Sequence, residues 1–352
     1  MDHRVRPLDV VRVRRLRFSQ GLATVPGDHF DGRRFFNPGG ANGQPVWRVP
    51  RMLLTRRARW PSQVPVDQSH VPDPRPDGVV VTFVGHATFL VQTAGANLLV
   101  DPMYSERASP VSFAGPRRVR APGVRFDDLP PIELVLLSHN HYDHCDLPTL
   151  RRLERRFHPR VVTPVGNGPL LRSAGLRLVE EIDWWETASA SPIPVTLTPA
   201  QHFSARGPFD RNRALWGGFL IEAGGFRILH AGDSGYGPHF RRIAERLGPI
   251  DLALLPIGAY EPRWFMKDIH MDPAQAVQAH LDLAARESLA MHFGTFQLTP
   301  EGIDEPAREL TLALRERGVP AERFRTVDVG GPVWLGRRPG PVAGATPAPG
   351  FT

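Results

Sequence analysis

The chain has a single cysteine, Cys145, so no disulfide can close within it. It has a single lysine, Lys267, so nearly all of its positive charge is arginine. No stretch approaches ~18 uninterrupted apolar residues, which argues against a membrane-spanning helix. The first twenty residues are rich in arginine yet lack the apolar core of a secretory signal. The expectation is a reducing, cytoplasmic location. With 352 residues, 41% of them hydrophobic, there is ample material for a large core. The formal net charge of +7 suits anionic partners such as phosphate groups or acidic membrane surfaces. A GC-rich genome also writes arginine for lysine, so charge alone decides little. Between Met1 and Gln20, Arg12, Arg14, Arg15 and Arg17 interleave with Val11, Val13, Leu16 and Phe18. This pattern reads either as an arm peripheral to a membrane or as a disordered tail.

Residues 1–78 are rich in Pro, Arg and Gly and are expected to form an irregular N-terminal wrap and linker. Phe30, Phe35, Phe36, Trp47 and Trp60 are its expected aromatic anchors. Compact structure is expected over 79–336, with a disordered tail at 337–352. Val79–Val84, Phe89–Thr93 and Asn97–Val100 read as early hairpin strands. Leu134–Leu137, Arg160–Thr163, Val195–Thr198, Gly218–Glu222, Phe226–His230, Leu252–Leu255 and Ser288–Met291 follow, with a last strand near Phe324–Val329. Helices are expected from Pro148 to Phe157, from Asp272 to Leu283 behind a capping aspartate, and over about Glu305–Arg317. Strands alternating with helices in two successive halves imply an α/β fold of two packed sheets with helices outside. Residues 103–130 form a long loop of the kind that usually has a function.

What the chain does have is a dense polar stretch directly after the apolar run Glu133–Leu137. His139-x-His141-x-Asp143-His144 offers four candidate metal ligands within six residues. Imidazoles and carboxylates crowded behind a buried strand cost burial energy unless a cation neutralises them. Divalent metals take these groups as ligands. The competing reading is a solvated loop. It loses ground because other polar residues also end apolar runs: His86, Asp101, His202, Asp233 and His292. His139, His141, Asp143, His144, His202, Asp233 and His292 make seven candidates. Seven exceed one tetrahedral site and suit two metals sharing a carboxylate, an arrangement that favours hydrolysis. Cys145 sits inside this loop and reads as a packing residue rather than a nucleophile.

These segments resemble the metallo-β-lactamase superfamily and, within it, the N-acyl-phosphatidylethanolamine-hydrolysing phospholipase D family. The resemblance rests on His29–Pro38, Gly85–Leu90, Ser109–Pro110, Phe113–Arg117 and Ser138–Asp146. It continues through Asp183–Glu186, Pro199–His202, Ala214–Gly218, Leu255–Met266 and His292–Phe296. It implies a four-layer αββα metallo-β-lactamase-like sandwich. It implies one zinc on His139, His141 and His202, a second on Asp143, His144 and His292, and Asp233 between them. Mn2+ or Fe2+ are alternatives to Zn2+. His270 matches a histidine that the family keeps near its metals. Ile269, Cys145 and Phe293 depart from the family pattern and bear on the substrate, not on the ligands.

The expected activity is therefore hydrolysis of a phosphodiester, with an N-acyl-phosphatidylethanolamine-like phospholipid as substrate. Asp143 or Asp233 would orient the attacking water, and His270 would contact the phosphate or protonate the leaving alkoxide. Asp101 and His86 are expected to hold the ligands in place. Trp184, Trp185, Tyr260, Trp264, Phe265 and Met266 are candidates for a lipid groove, with core packing the competing reading. The alternative substrates are a small phosphodiester or a phosphorylated sugar lactone. A redox role is disfavoured, because the superfamily's redox branch has a carboxylate where His141 stands. Peripheral membrane contact and a homodimer are admitted as partners. Nucleic acid is not expected, since aromatic and basic residues do not interleave as stacking sites require.

Overall fold

The structure is a computed structural model that describes residues 27–336. The arginine-rich stretch Met1–Gln20 and the tail at 337–352 lie outside the described residues. Among the described residues no helix is long and apolar enough to cross a membrane.

Among the described residues thirteen strands form two sheets. The first holds β1 (Val79–Gly85), β2 (Thr88–Gln92), β3 (Asn97–Val100), β4 (Leu134–Leu136), β5 (Arg160–Pro164), β6 (Val179–Ile182) and, from the end of the chain, β13 (Pro332–Leu335). Its order is β13-β1-β2-β3-β4-β5-β6. The second holds β7 (Val195–Thr198), β8 (Gly218–Ala223), β9 (Phe226–His230), β10 (Leu252–Pro256), β11 (Glu287–Met291) and β12 (Phe324–Arg325), in the order β12-β11-β10-β9-β8-β7. Each sheet starts as an antiparallel meander and continues as parallel strands. Because β1 and β3 both oppose β2, strands β1, β3, β4, β5 and β6 all run one way. By the same logic β7, β9, β10, β11 and β12 run one way. The strand ends that deliver polar residues therefore gather along one edge of each sheet.

Period-two alternation assigns each strand's faces. Leu252 and Leu254 join Val81, Phe83, Leu98, Leu134 and Phe219 in the layer between the sheets. Ala253 and Leu255 turn the other way, onto α4 (His239–Leu247), α6 (Pro273–Asp282) and α7 (Glu305–Glu316). Leu90, Leu99, Val135 and Val161 pack outward against α2 (Leu147–Phe157) and α3 (Gly168–Ser173). The result is helix, sheet, sheet, helix, the expected α/β αββα sandwich. Helix α6 begins where a capping box closes: Asp272 accepts from the Gln275 amide, and Gln275 answers to the Asp272 amide.

Several expectations are corrected. The last strand is not a single run over Phe324–Val329. It is the two-residue β12 in one sheet, followed after a turn by β13 in the other. Strand β6 (Val-Glu-Glu-Ile) lacks an apolar run because it is an edge strand with half-exposed side chains. Trp47 is not an anchor: it is 72% exposed. It lies just before the short helix α1 (Val49–Leu53), in a segment expected to be irregular. A second short helix, α5 (Arg263–Met266), lies between Tyr260 and His270. Phe35 is buried, with Phe30 packed on it, and the Trp60 indole donates to the Glu301 carbonyl.

The layer between the sheets is where a truncation costs most. Leu254→Ala, at a fully buried position facing the other sheet, is expected to lower stability by about 2–5 kcal/mol. Denaturant unfolding at fixed metal concentration measures this. A loss under about 1 kcal/mol would mean that the sheets do not close on this side chain.

Candidate metal centre

Strand β4 delivers Ser138–Asp146 to the sheet edge. The amides of His144 and Cys145 both donate to the His141 carbonyl, at 3.2 and 2.8 Å, which closes the stretch into a turn. Asp146 anchors its far end by accepting from the amide and hydroxyl of Ser105, each at 2.9 Å. Arg206 braces it from another loop, with Nη1 donating to the carbonyls of Asn140 and Cys145 at 2.8 and 2.9 Å. Tyr142 returns a hydroxyl bond to the Arg206 carbonyl. Asn140 and Tyr142 thus have roles in holding the loop that their sequence position did not show.

The second sheet supplies the rest. Asp233 follows β9 after Gly232, whose φ of +63° and 2.5 Å Cβ approach to the Gly217 carbonyl admit no side chain. His202 follows β7 and His292 follows β11. His86, Asp101 and His292 each sit at a strand end with positive φ, at 58°, 44° and 61°. Such conformations cost a non-glycine residue about 1–3 kcal/mol and persist where the surroundings impose them. The His292 amide donates to the His86 carbonyl at 2.8 Å, joining the two sheets there.

All seven sequence-predicted ligands converge, together with His86 and His270. They form overlapping groups: His139, His141, His202 and Asp233; His86, Asp143, His144 and His292; and Asp233, His270 and His292. His141 Nδ1 lies 2.9 Å from His139 Nε2 and 3.2 Å from His202 Nε2. Asp233 Oδ2 lies 3.1 Å from both His144 Nε2 and His292 Nε2, and 3.8–3.9 Å from His202 and His139. Asp143 Oδ2 lies 3.2 Å from His292 Nε2 and 2.9 Å from His86 Nε2. Ligand nitrogens on one tetrahedral zinc stand about 3.3–3.4 Å apart, given bonds of about 2.0–2.1 Å.

The outer partners aim the lone pairs. Asp101, fully buried, accepts from His144 Nδ1 at 2.7 Å and from the Ser138 hydroxyl at 2.6 Å. That hydroxyl in turn accepts from His139 Nδ1 at 2.9 Å. His202 Nδ1 donates to the Ile269 carbonyl, also at 2.9 Å. These partners assign the Nδ1–H tautomer to all three rings and turn each Nε2 inward. Ser138 went unnoticed in the sequence because a single hydroxyl beside three histidines has no signature of its own.

The charges fit a cation. Burial, with neighbouring imidazoles adding to it, lowers the pKa of His139 far below its ordinary value and that of His141 to about 3. His202 falls to about 4, again chiefly through burial. For His292 burial acts downward too, but Asp233 and Asp143 outweigh it and push the ring up to about 9. The Asp233, Asp143 and Asp101 carboxylates likewise hold His144 well above the usual range. Without a metal, protons on these two rings supply the positive charge that the carboxylates require. Among the described residues Asp233 Oδ1 has no hydrogen-bond partner, and the inward His144 Nε2 meets only carboxylate oxygens of Asp233 and Asp143, at 3.1 and 3.6 Å. Orphaned buried donor atoms of this kind suit a metal, and the N/O donor set suits Zn2+, Mn2+ or Fe2+.

Not every candidate lines the centre. Trp184 packs between the sheets, its indole donating to the Trp216 carbonyl. Trp185 lies under Arg246, and the Tyr260 hydroxyl donates to Glu305. Phe265, Met266 and Ile269 instead form a satellite cluster with the half-buried Trp264, Phe203 and Met52. Phe203 touches His141, with ring centroids 4.5 Å apart. Cys145 is buried and its thiol is pushed up to about 12, mainly by desolvation, so it is inert packing.

Cation binding must displace the protons on His144 and His292. Adding Zn2+ to metal-free protein at pH 7.5 in dilute buffer is expected to release protons, and the release should shrink as pH rises through about 9. A pH indicator reads this directly. Zinc uptake without proton release would show that the rings are already neutral.

Residues 96–293 match the profile of the β-lactamase superfamily domain. The chain is similar to the N-acyl-phosphatidylethanolamine-hydrolysing phospholipase D 1 of Caenorhabditis elegans. The two are 38% identical over 267 residues, covering 72% of this chain and 75% of that one. It is 31% identical over 245 residues to a metal-dependent hydrolase of Rubrobacter xylanophilus, covering 67% and 92% of the two chains. The solved structure of Igni18, a metallo hydrolase of Ignicoccus hospitalis, shares the fold. Its TM-score is 0.56 at 23% identity, over 74% of this chain and all but 1% of that one, with 99% covered. The chain belongs to the β-lactamase superfamily, as a metal-dependent hydrolase related to the N-acyl-phosphatidylethanolamine-hydrolysing phospholipases D.

Proposed function

We propose that the chain is a phospholipase D-type phosphodiesterase using two zinc ions, with an N-acyl-phosphatidylethanolamine-like phospholipid as substrate. The observation that carries this reading is Asp233, a single buried carboxylate within reach of both donor groups. His139, His141 and His202 would hold one cation and Asp143, His144 and His292 the other, with Asp233 between. Bound there, the cations would lower the pKa of a water molecule and neutralise phosphate charge.

The chain's own groups do the rest. Asp143 and Asp233, held ionised by His144 and its neighbours against the cost of burial, accept hydrogen bonds from the attacking water and orient it. Water adds at phosphorus, the bond to the headgroup oxygen breaks, and that oxygen takes up a proton. His270 would act on it. Its Nε2 lies 4.0 Å from Asp233 Oδ2, its Nδ1 has no partner, and burial holds the ring neutral. A neutral imidazole there can donate to a phosphate oxygen or to the leaving oxygen. Phe203, beside His141, continues into an apolar cluster that Trp264 and Met52 join, which would suit acyl chains. The name of the C. elegans relative points to the same substrate class.

The test is a screen of metal-loaded protein against three substrates: N-acyl-phosphatidylethanolamine in vesicles, a soluble aryl phosphodiester, and a phosphorylated sugar lactone. The phospholipid is expected to be cleaved fastest. Preference for the soluble diester or the lactone would move the chain to the small-substrate reading, and inactivity on every phosphodiester would sink the proposal. Loss of a ligand's outer partner already costs about 10- to 100-fold, so Asp143→Asn should lose at least that much. His270→Gln separates two roles for this residue. It should keep both zinc ions and lower kcat, whereas a lost zinc ion would make His270 a ligand.

A further inference from the structure

The ligand His202 lies beyond the end of β7, outside any helix or strand. Its ring is aimed by the Ile269 carbonyl, but its main chain is held by a residue 165 positions earlier. Asn37 Nδ2 donates to the His202 carbonyl at 2.8 Å, and Asn37 Oδ1 accepts from the His202 amide at 3.3 Å. The same Nδ2 donates to the Ala41 carbonyl at 2.7 Å, and the same Oδ1 accepts from the Trp216 indole at 3.2 Å. Two donors and two acceptors are all that a carboxamide has, and here each is used. Asn37 is 3% exposed, so water does not substitute for it. Aspartate would set an oxygen against two carbonyls, and leucine would leave the His202 amide and the His202 and Ala41 carbonyls without this partner, the Trp216 indole keeping its second bond to the Ala200 carbonyl.

The segment that carries Asn37 is fastened to the layer between the sheets. The Phe35 ring is buried between the sheets, and its amide donates to the Asn212 carbonyl at 2.8 Å. His29 stacks on Trp184 at 4.4 Å, and its Nε2 lies 2.8 Å from Asp183 Oδ1. We propose that Asn37 is a positioning residue of the metal centre, clamping His202 by its backbone, and that residues 27–42 form a wall of that centre. The proposal rests on the two-metal reading above. It makes the cation held by His139, His141 and His202 depend on a segment that precedes the family-wide domain.

The test uses the full chain, stripped of metal, in competition titrations of zinc against a chromophoric chelator. Wild-type protein is expected to bind two zinc ions. Asn37→Ala should leave one affinity unchanged and weaken the other by about 10- to 100-fold, the usual effect of losing an outer partner of a ligand. Asn37→Asp keeps the volume and both acceptors and carries the same test if the alanine variant does not fold. Leu310→Ala, buried on α7 in the outer helix layer, is the control for general destabilisation. It should lower Tm and leave both zinc affinities as they were. Unchanged affinities in the Asn37 variants, or an equal loss in Leu310→Ala, would overturn the proposal alone. Wild-type protein that bound no zinc would overturn the metal reading and this proposal with it.

Discussion

Two carboxylates, Asp143 and Asp233, are buried among seven imidazoles at one edge of the sandwich. Buried charge is costly, and here it is compensated only by more charge: protons on His144 and His292, or divalent cations in their place. Much of the local structure serves this constraint. Asp101, Ser138 and the Ile269 carbonyl hold the outward nitrogens of three rings, so that the inward ones bear lone pairs. Strand ends at His86, Asp101 and His292 adopt left-handed conformations to bring these groups in.

The sandwich makes this convergence repeatable. Each half runs an antiparallel meander into parallel strands, so polar residues placed after the strands arrive at one edge. Apolar alternation assigns the strands' two faces, one to the layer between the sheets and one to a helix layer. The two sheets are tied at the site by main-chain bonds from His292 to His86 and from Gly217 to Ser138. Displacing one sheet against the other would separate Asp143 from Asp233, so the rigidity of the core and the geometry of the centre are the same property.

Around the centre the environment is asymmetric. On one side lie the anchored loop bonds of Arg206 and Asp146. On the other, Phe203 leads from His141 into an apolar cluster with Trp264, Met52 and Ile269. Ile269 belongs to this cluster and also holds His202 through its carbonyl, so its side chain can vary while its main chain keeps its role.

The residues 139–144 could be read from the sequence because four candidate ligands in six positions is a local pattern. The strands with unbroken apolar runs, such as Val79–Val84 and Leu252–Leu255, were legible for the same reason. Three of the four edge strands were not: β6 and β13 have mixed composition because only part of each faces a core, and β12 is two residues long, whereas the edge strand β7 is buried throughout and was legible. Trp184 and Trp264 are the same residue type, yet one fills the core and the other is half-buried in a satellite cluster. Composition cannot separate them. Nor could it single out Ser138 or Asn37, whose roles consist wholly of hydrogen bonds to residues brought near by folding. The candidate ligands and the class of fold were legible in the chain's residue order, because the candidates crowd within 139–144 or end apolar runs, and the strands and helices show their periodicity. It took the folded chain to show the distances from Asp233 to both donor groups, the tautomers of His139, His144 and His202, and the grip of Asn37, near the start of the chain, on His202. These depend on distances between segments up to 165 residues apart, which no local pattern encodes.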